Sequence, residues 1–188
     1  MCADNEVDVV NVVGSGKLGV ELDLYALATD LSAETNSQTK YDPDEHTGMH
    51  VRLESGALIT LYRTGSYHIV GVDSERALFE ARDTFIEAMG KVGLDVPSGE
   101  DPFSVRNLVT TTSLGDSVNL NALAIGLGLE QVEYEPEQFP GLVYRPTEFD
   151  AVVLIFGSGK MVVTGVTSVE RAKQVRESVA DEVYRLLG

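Results

Sequence analysis

Two glycine-rich stretches carry residue types that hold phosphate. Gly14-Ser15-Gly16-Lys17-Leu18-Gly19 follows an apolar run and fits the G-x-G-x-x-G spacing, in which backbone N–H groups cradle a dinucleotide. The strand–helix alternation of a parallel sheet does not follow it, and in its later counterpart, Thr110–Gly115, threonines replace the first two glycines. The plainer reading is a turn at a strand exit. Gly157-Ser158-Gly159-Lys160 lacks the spacing and the following Ser or Thr of a phosphate loop and reads as a hairpin turn. His46 and His50 stand beside Asp42, Asp44 and Glu45, but the spacing fits no standard zinc pattern. A solvated turn is expected there, with no metal. No Ser/His/Asp or Cys/His set and no carboxylate pair in an apolar setting suggests catalysis, so neither an enzyme nor a cofactor is expected. Two phenylalanines remain: Phe139 on an exposed Pro-Gly turn, and Phe156 closing the run Ala151–Phe156, which is apolar at every position.

The bulk composition narrows the setting. The chain has 188 residues and a net charge of −16, from 30 acidic and 14 basic side chains. No apolar run is long enough for a membrane span, no leader is evident, and the single cysteine, Cys2, fits a reducing cytoplasm. Taken alone, the acidity argues against nucleic acid, because phosphate binding usually needs a basic patch. A uniformly acidic surface with few lysines is also typical of proteins from a salt-saturated cytoplasm. There, charges are screened within about 3 Å, so long-range repulsion of DNA fades together with the gain from counterion release.

The chain repeats itself. Asn11-Val12-Val13 returns as Asn107-Leu108-Val109, Leu18-Gly19 as Leu114-Gly115 and Leu27-Ala28 as Leu123-Ala124. YDPDEHTGMHVR (41–52) returns as YEPEQFPGLVYR (134–145), and LYRTGSYHIVG (61–71) as IFGSGKMVVTG (155–165). The first copy is longer in the polar stretch around Glu34–Gln38. Each copy reads as strand, helix, three or four strands, helix. Val7–Val13 and Phe103–Thr111 are β-branched and apolar. Leu24, Leu27, Ala28 and Leu31, like Leu120, Leu123, Ala124 and Leu127, have helical spacing behind the caps Asp23 and Asn119. Three further strands follow in each copy: Gly48–Leu53, Leu58–Tyr62 and Tyr67–Val72, then Gly141–Tyr144, Val152–Phe156 and Met161–Val166. Closing helices carry the stripes Leu78, Ala81, Phe85, Met89 and Val169, Ala172, Val175, Val179, Val183, Leu186. Thr167 with Glu170 reads as a capping box. Arg171, Lys173 and Arg176 read as the solvated face of the last helix, or as a contact for a regulator. Gly93–Pro102 reads as a linker, giving repeats 1–94 and 95–188. The fold class is α+β: an antiparallel sheet with helices on one face. A strand apolar on both faces then implies either a second covering layer or an apolar binding surface, and the sequence offers nothing to build the layer.

YEPEQFPGLVYR followed by LIFGSGKMVVTG resembles the TATA-box-binding protein family, and the resemblance covers nearly the whole chain. It implies a saddle: two tandem repeats in one continuous curved antiparallel sheet, the concave face on the DNA minor groove and helices on the convex face. Phenylalanine wedges that unstack a base step are an established property of that family. The resemblance assigns Asn11 and Asn107 to base acceptors, flanked by Val13 and Val109. It makes Phe139 and Phe156 the wedge pair, and Leu154, Val162 and Thr164 further groove contacts. Arg145 and Lys160 would meet phosphates. Glu135 and Glu137 would bind the B-type general transcription factor. It further implies promoter DNA and RNA polymerase as partners, regulators on the convex helices, no membrane, and a cytoplasmic, nucleoid-associated protein of a salt-adapted archaeon.

The first repeat departs from the pattern. His46 and Tyr62 occupy the wedge positions, Thr60 stands for Leu154, His68 for Val162, Val70 for Thr164 and Ser66 for Lys160, while Arg52 keeps the place of Arg145. Weaker or altered bending and a relaxed sequence preference are expected on that half. The alternative is a family paralogue that acts mainly as a protein-interaction module. A nucleotide-binding enzyme rests on the glycine spacing alone.

Overall fold

A computed structural model describes residues 6–35, 37–94, 96 and 102–187. Cys2 and most of the expected linker, 95 and 97–101, lie outside the described residues. The chain divides into two compact units: Asn11–Arg106, here the N-unit, and Asn107–Gly188 with Met1–Val10, the C-unit.

The strands are β1 (Asp8–Lys17), β2 (Gln38–Lys40), β3 (Gly48–Arg52), β4 (Leu58–Tyr62), β5 (Ser66–Val72), β6 (Ser104–Ser113), β7 (Val132–Glu133), β8 (Gly141–Tyr144), β9 (Val152–Phe156) and β10 (Lys160–Val166). The helices are α1 (Leu24–Glu34), α2 (Glu75–Lys91), α3 (Leu120–Leu127) and α4 (Val169–Leu187). In the N-unit the strands pair antiparallel in the order β2-β3-β4-β5-β1. In the C-unit the order is β7-β8-β9-β10-β6. The order is the same in both, so the sequence repeat is a structural repeat.

Period-two alternation decides which face is buried. Met49, Val51, Ile59, Leu61, Tyr67 and Ile69 point to the helix side of the N-unit and are fully buried; Leu142, Val153, Ile155, Met161 and Val163 do the same in the C-unit. Against them pack Leu78, Ala81, Phe85 and Met89 of α2, and Ala172, Val175, Val179 and Val183 of α4. Each large side chain buried this way contributes about 1.5–3 kcal/mol. The N-unit core is aromatic: Tyr67 lies 5.0 Å from Phe85 and 5.8 Å from Phe103, ring centroid to centroid.

Three sequence expectations need correction. Gly14–Lys17 is not a strand exit turn, because β1 runs through it to Lys17. A Cβ at Gly14 would lie 2.5 Å from Phe103 Cζ and 2.9 Å from Leu78 Cδ2, so this glycine makes room for the core rather than for phosphate. The cap of α4 is Ser168, not Thr167: its Oγ accepts from Arg171 N–H at 3.2 Å. Arg176 is not on the solvated face. It is 6% exposed, and its Nη2 donates to the Ser113 carbonyl at 3.1 Å. It follows Ala172 by four residues, on the buried stripe of α4. Arg171 does lie outside, its guanidinium 4.6 Å above the Phe149 ring. Asp23 and Asn119 do cap α1 and α3, accepting from Tyr25 and Ala26 N–H and from Ala122 N–H. Gly157–Lys160 is the β9–β10 hairpin turn, closed by Gly159 N–H to the Phe156 carbonyl at 2.8 Å.

Candidate nucleic-acid interface

The alternation that buries one face presents the other. In the C-unit the open face carries Asn107, Val109 and Thr111 from β6, Val143 from β8, Val152, Leu154 and Phe156 from β9, and Lys160, Val162 and Thr164 from β10. Arg145 follows directly after β8. In the N-unit it carries Asn11, Val13 and Ser15, then His50 and Arg52, then Leu58, Thr60 and Tyr62, then Ser66, His68 and Val70. Every residue singled out for DNA contact is therefore on the open face of its unit or, for Phe139 and Arg145, at its margin. His50 and Val143 share that face, although the resemblance assigns them no contact; their alternate places in Gly48–Arg52 and Gly141–Tyr144 signal it. Arg106 Nε donates to Ser15 Oγ at 2.8 Å.

A bulge sets the two asparagines. The register of β5 against β1 slips between Val12 and Gly14, and that of β10 against β6 between Val163 and Val166. Gly71 and Gly165 sit at these slips with φ of 83° and 86°, a left-handed conformation that suits glycine. The asparagine oxygens bond the N–H groups of these bulge glycines. Asn11 Oδ1 accepts from Gly71 N at 3.1 Å, and Asn107 Oδ1 from Gly165 N at 2.7 Å. With the oxygen engaged, the amide NH2 is the end left to donate elsewhere. Asn107 Nδ2 and Thr164 Oγ1 are also 3.1 Å apart. Val70 occupies the Thr164 position in the N-unit, so Asn11 lacks that hydroxyl neighbour.

The aromatic positions differ between the units. Phe139 and Phe156 pair edge to face, centroids 5.8 Å apart at 65°. Gly141 permits this, since a Cβ there would fall 2.7 Å from Phe139 Cε1 and 3.0 Å from Phe156 Cε1. Phe139 is still 37% exposed. Gly48 gives the same clearance in the N-unit, where a Cβ would meet Tyr62 Cε1 at 3.1 Å. There, however, His46 lies against His50 at 5.1 Å, and Tyr62 against His68 at 5.7 Å.

Charge at the rim is sparse. Arg145 Nη2 pairs with Glu133 Oε1 at 3.2 Å, both groups exposed, and Arg52 Nη1 donates to the Gly56 carbonyl at 3.2 Å. Lys160, at the start of β10, is exposed. An open groove of about 690 Å³ includes Phe156, Lys160, Val162 and Thr111, with Glu6 and Asp8 on its wall. The two matching turns differ in how their acids are held. Glu45 is bonded to Lys40 at 3.0 Å, which holds its carboxyl below the usual range and the Lys40 amine above its own. In the later turn Glu135 accepts from Gln138, and Glu137 is exposed. Among the described residues no group of three or more His, Cys, Asp and Glu is set to hold a metal, and no helix is long and apolar enough to cross a membrane.

Comparison with known proteins adds an independent line. The family model described as "Transcription factor TFIID (or TATA-binding protein, TBP)" matches twice, over residues 6–92 and 102–186. TATA-box-binding protein C of Halobacterium salinarum is 48% identical over 182 residues, covering 96% of this chain and 99% of that protein. The TATA-box-binding protein of Haloarcula marismortui is 41% identical over 184 residues, covering 96% of this chain and 94% of its own length. Among solved structures, Methanococcus jannaschii TBP superposes with a TM-score of 0.82 at 36% identity, over 96% of this chain and 99% of that one.

Proposed function

The chain belongs to the TATA-box-binding protein family, whose members are transcription initiation factors and not enzymes, and from that premise we propose that it binds the minor groove of A·T-rich promoter DNA and bends it. The observation that carries this reading is the open face of the C-unit. Val143, Leu154 and Val162 form a cross-strand apolar row there, with the exposed Phe139 against the half-buried Phe156 at its edge. Such a face gains by excluding water from the groove surface it covers. The bulge-anchored asparagines add donors. The minor groove of an A·T pair offers only acceptors, adenine N3 and thymine O2, so an amide whose oxygen is already engaged presents the matching group. Insertion of Phe139 and Phe156 into a base step supplies the kink, as is established for the family. Lys160 and Arg145 reach phosphates at the margin.

The low positive charge fits a salt-rich cytoplasm, where counterion release yields little and apolar contact yields more. Glu135 and Glu137, in the exposed turn before β8, would receive the B-type factor, which with RNA polymerase completes initiation on the nucleoid. The repeats 1–94 and 95–188 each serve one half of the site.

Bending is tested with a doubly labelled TATA-bearing duplex in molar KCl, with and without the B-type factor. A shift in energy transfer together with a mobility shift supports the reading. A folded protein that gives neither overturns it. One observation favours a second reading, an interaction module without DNA binding of its own: the N-unit face replaces the apolar row by His50, Thr60 and His68. Affinity for the B-type factor in the absence of DNA, with no DNA binding in its presence, would establish that module instead.

A further inference from the structure

The open faces differ along one cross-strand row. In the C-unit, β8, β9, β10 and β6 align Val143, Leu154, Val162 and Thr111. In the N-unit the same row is His50, Thr60, His68 and Ser15. The first row carries no hydrogen-bonding group until its β6 end. The second carries one on every strand, and Tyr62 leans on His68 with its ring edge 82° to the imidazole.

Against a minor groove these rows read different things. A G·C pair differs from A·T there by the guanine N2 amino group, a donor that protrudes into the groove. An apolar row desolvates that donor and gives it nothing, so G·C is rejected. A hydroxyl or a neutral imidazole both accepts and donates. It can accept a hydrogen bond from the guanine amino group, and it can equally donate one to adenine N3 or thymine O2. Resting on the minor-groove reading above, we infer that this chain reads its site unevenly: the half under the N-unit admits G·C pairs through Thr60 and His68, while the half under the C-unit is restricted to A·T. Thr60 and His68 are then specificity-determining residues, and the recognised element is A·T-rich on one side only.

The test uses the full chain in molar KCl and a duplex with an all-A·T site, plus a set in which each pair in turn becomes G·C. Affinity losses should fall into two classes by position. One half of the site loses roughly ten- to hundredfold per substitution, the usual scale for a mismatched pair, and the other less than about threefold. In the Thr60→Leu/His68→Val double variant the ratio of G·C to A·T affinity in the tolerant half should fall by about tenfold. The reciprocal Leu154→Thr/Val162→His variant should raise that ratio in the strict half. These side chains lie on the open face, outside the helix-packed core, and thermal melting checks that each variant is folded. Equal intolerance in both halves, or a double variant that leaves the ratio unmoved, overturns the inference while leaving minor-groove binding intact. Failure to bind the all-A·T duplex removes the minor-groove reading, and this inference with it.

Discussion

The two units share a strand order and differ in what their open faces can do. Both place an asparagine against a bulge glycine, both clear space over a glycine at the start of β3 or β8, and both put an arginine at the rim. Yet the C-unit gathers two phenylalanines into one contact, while the N-unit splits its aromatic contacts between His46–His50 and Tyr62–His68. The helix-packed side tolerates little change, because a buried position must be apolar and the right size. The open side is limited only by what it meets. A repeat that keeps its core and rewrites its surface therefore keeps the fold and changes the partner, or changes how the partner is read.

The largest expected effect lies at the wedge. Phe156→Ala should lower affinity for a TATA duplex by about a hundredfold, or roughly 2–3 kcal/mol, the scale of an interface hot spot. It should also abolish the change in energy transfer. Tyr62→Ala should cost about tenfold or less. Equal losses would erase the distinction between the units. The opposite manipulation, His46→Phe/Tyr62→Phe, should increase bending if the N-unit differs only in its wedge.

The asparagines come next, and they are read by stability as well as binding. Asn107→Ala leaves the Gly165 N–H and the Thr164 hydroxyl without their partner and should cost about 1–3 kcal/mol in denaturant unfolding. Asn11→Ala loses one longer bond, to Gly71, and should cost less, about 0.5–1.5 kcal/mol. A larger loss at Asn11 would mean that the bulge, not the amide, carries the difference.

Much of this was legible in the residues. The internal repeat gave the element order, and the run Ala151–Phe156, apolar at every position with no further element to cover it, implied an open apolar face, because a strand has only two sides. What resisted was packing at a distance. Nothing local to Gly14 says that Phe103 presses on it, so a glycine serving the core looked like a strand-exit turn. Nothing local to Arg176 says that the end of β6 offers it a carbonyl, so a buried arginine looked solvated. The bulge was hidden for a similar reason. Gly71 and Gly165 are visible as repeated glycines, but their pairing with Asn11 and Asn107 spans about half a repeat and more in sequence and appears only in the sheet.

The smallest effect tests the rim. Arg145 is tied to Glu133 across an exposed pair, whereas Arg52 donates to a backbone carbonyl, and Lys160 faces Ser66 in the comparison of repeats. An exposed ion pair contributes about 0–1 kcal/mol, less in high salt. Glu133→Gln should therefore leave folding stability nearly unchanged and free Arg145 for a phosphate. In molar KCl the gain in affinity should stay below about threefold; in dilute salt it should grow and steepen the salt slope by about one phosphate contact. Ser66→Lys should act in the same direction on the N-unit. If either change instead shifts affinity more than tenfold in molar salt, the rim rather than the apolar row dominates binding, and the contrast between the two faces has been drawn in the wrong place.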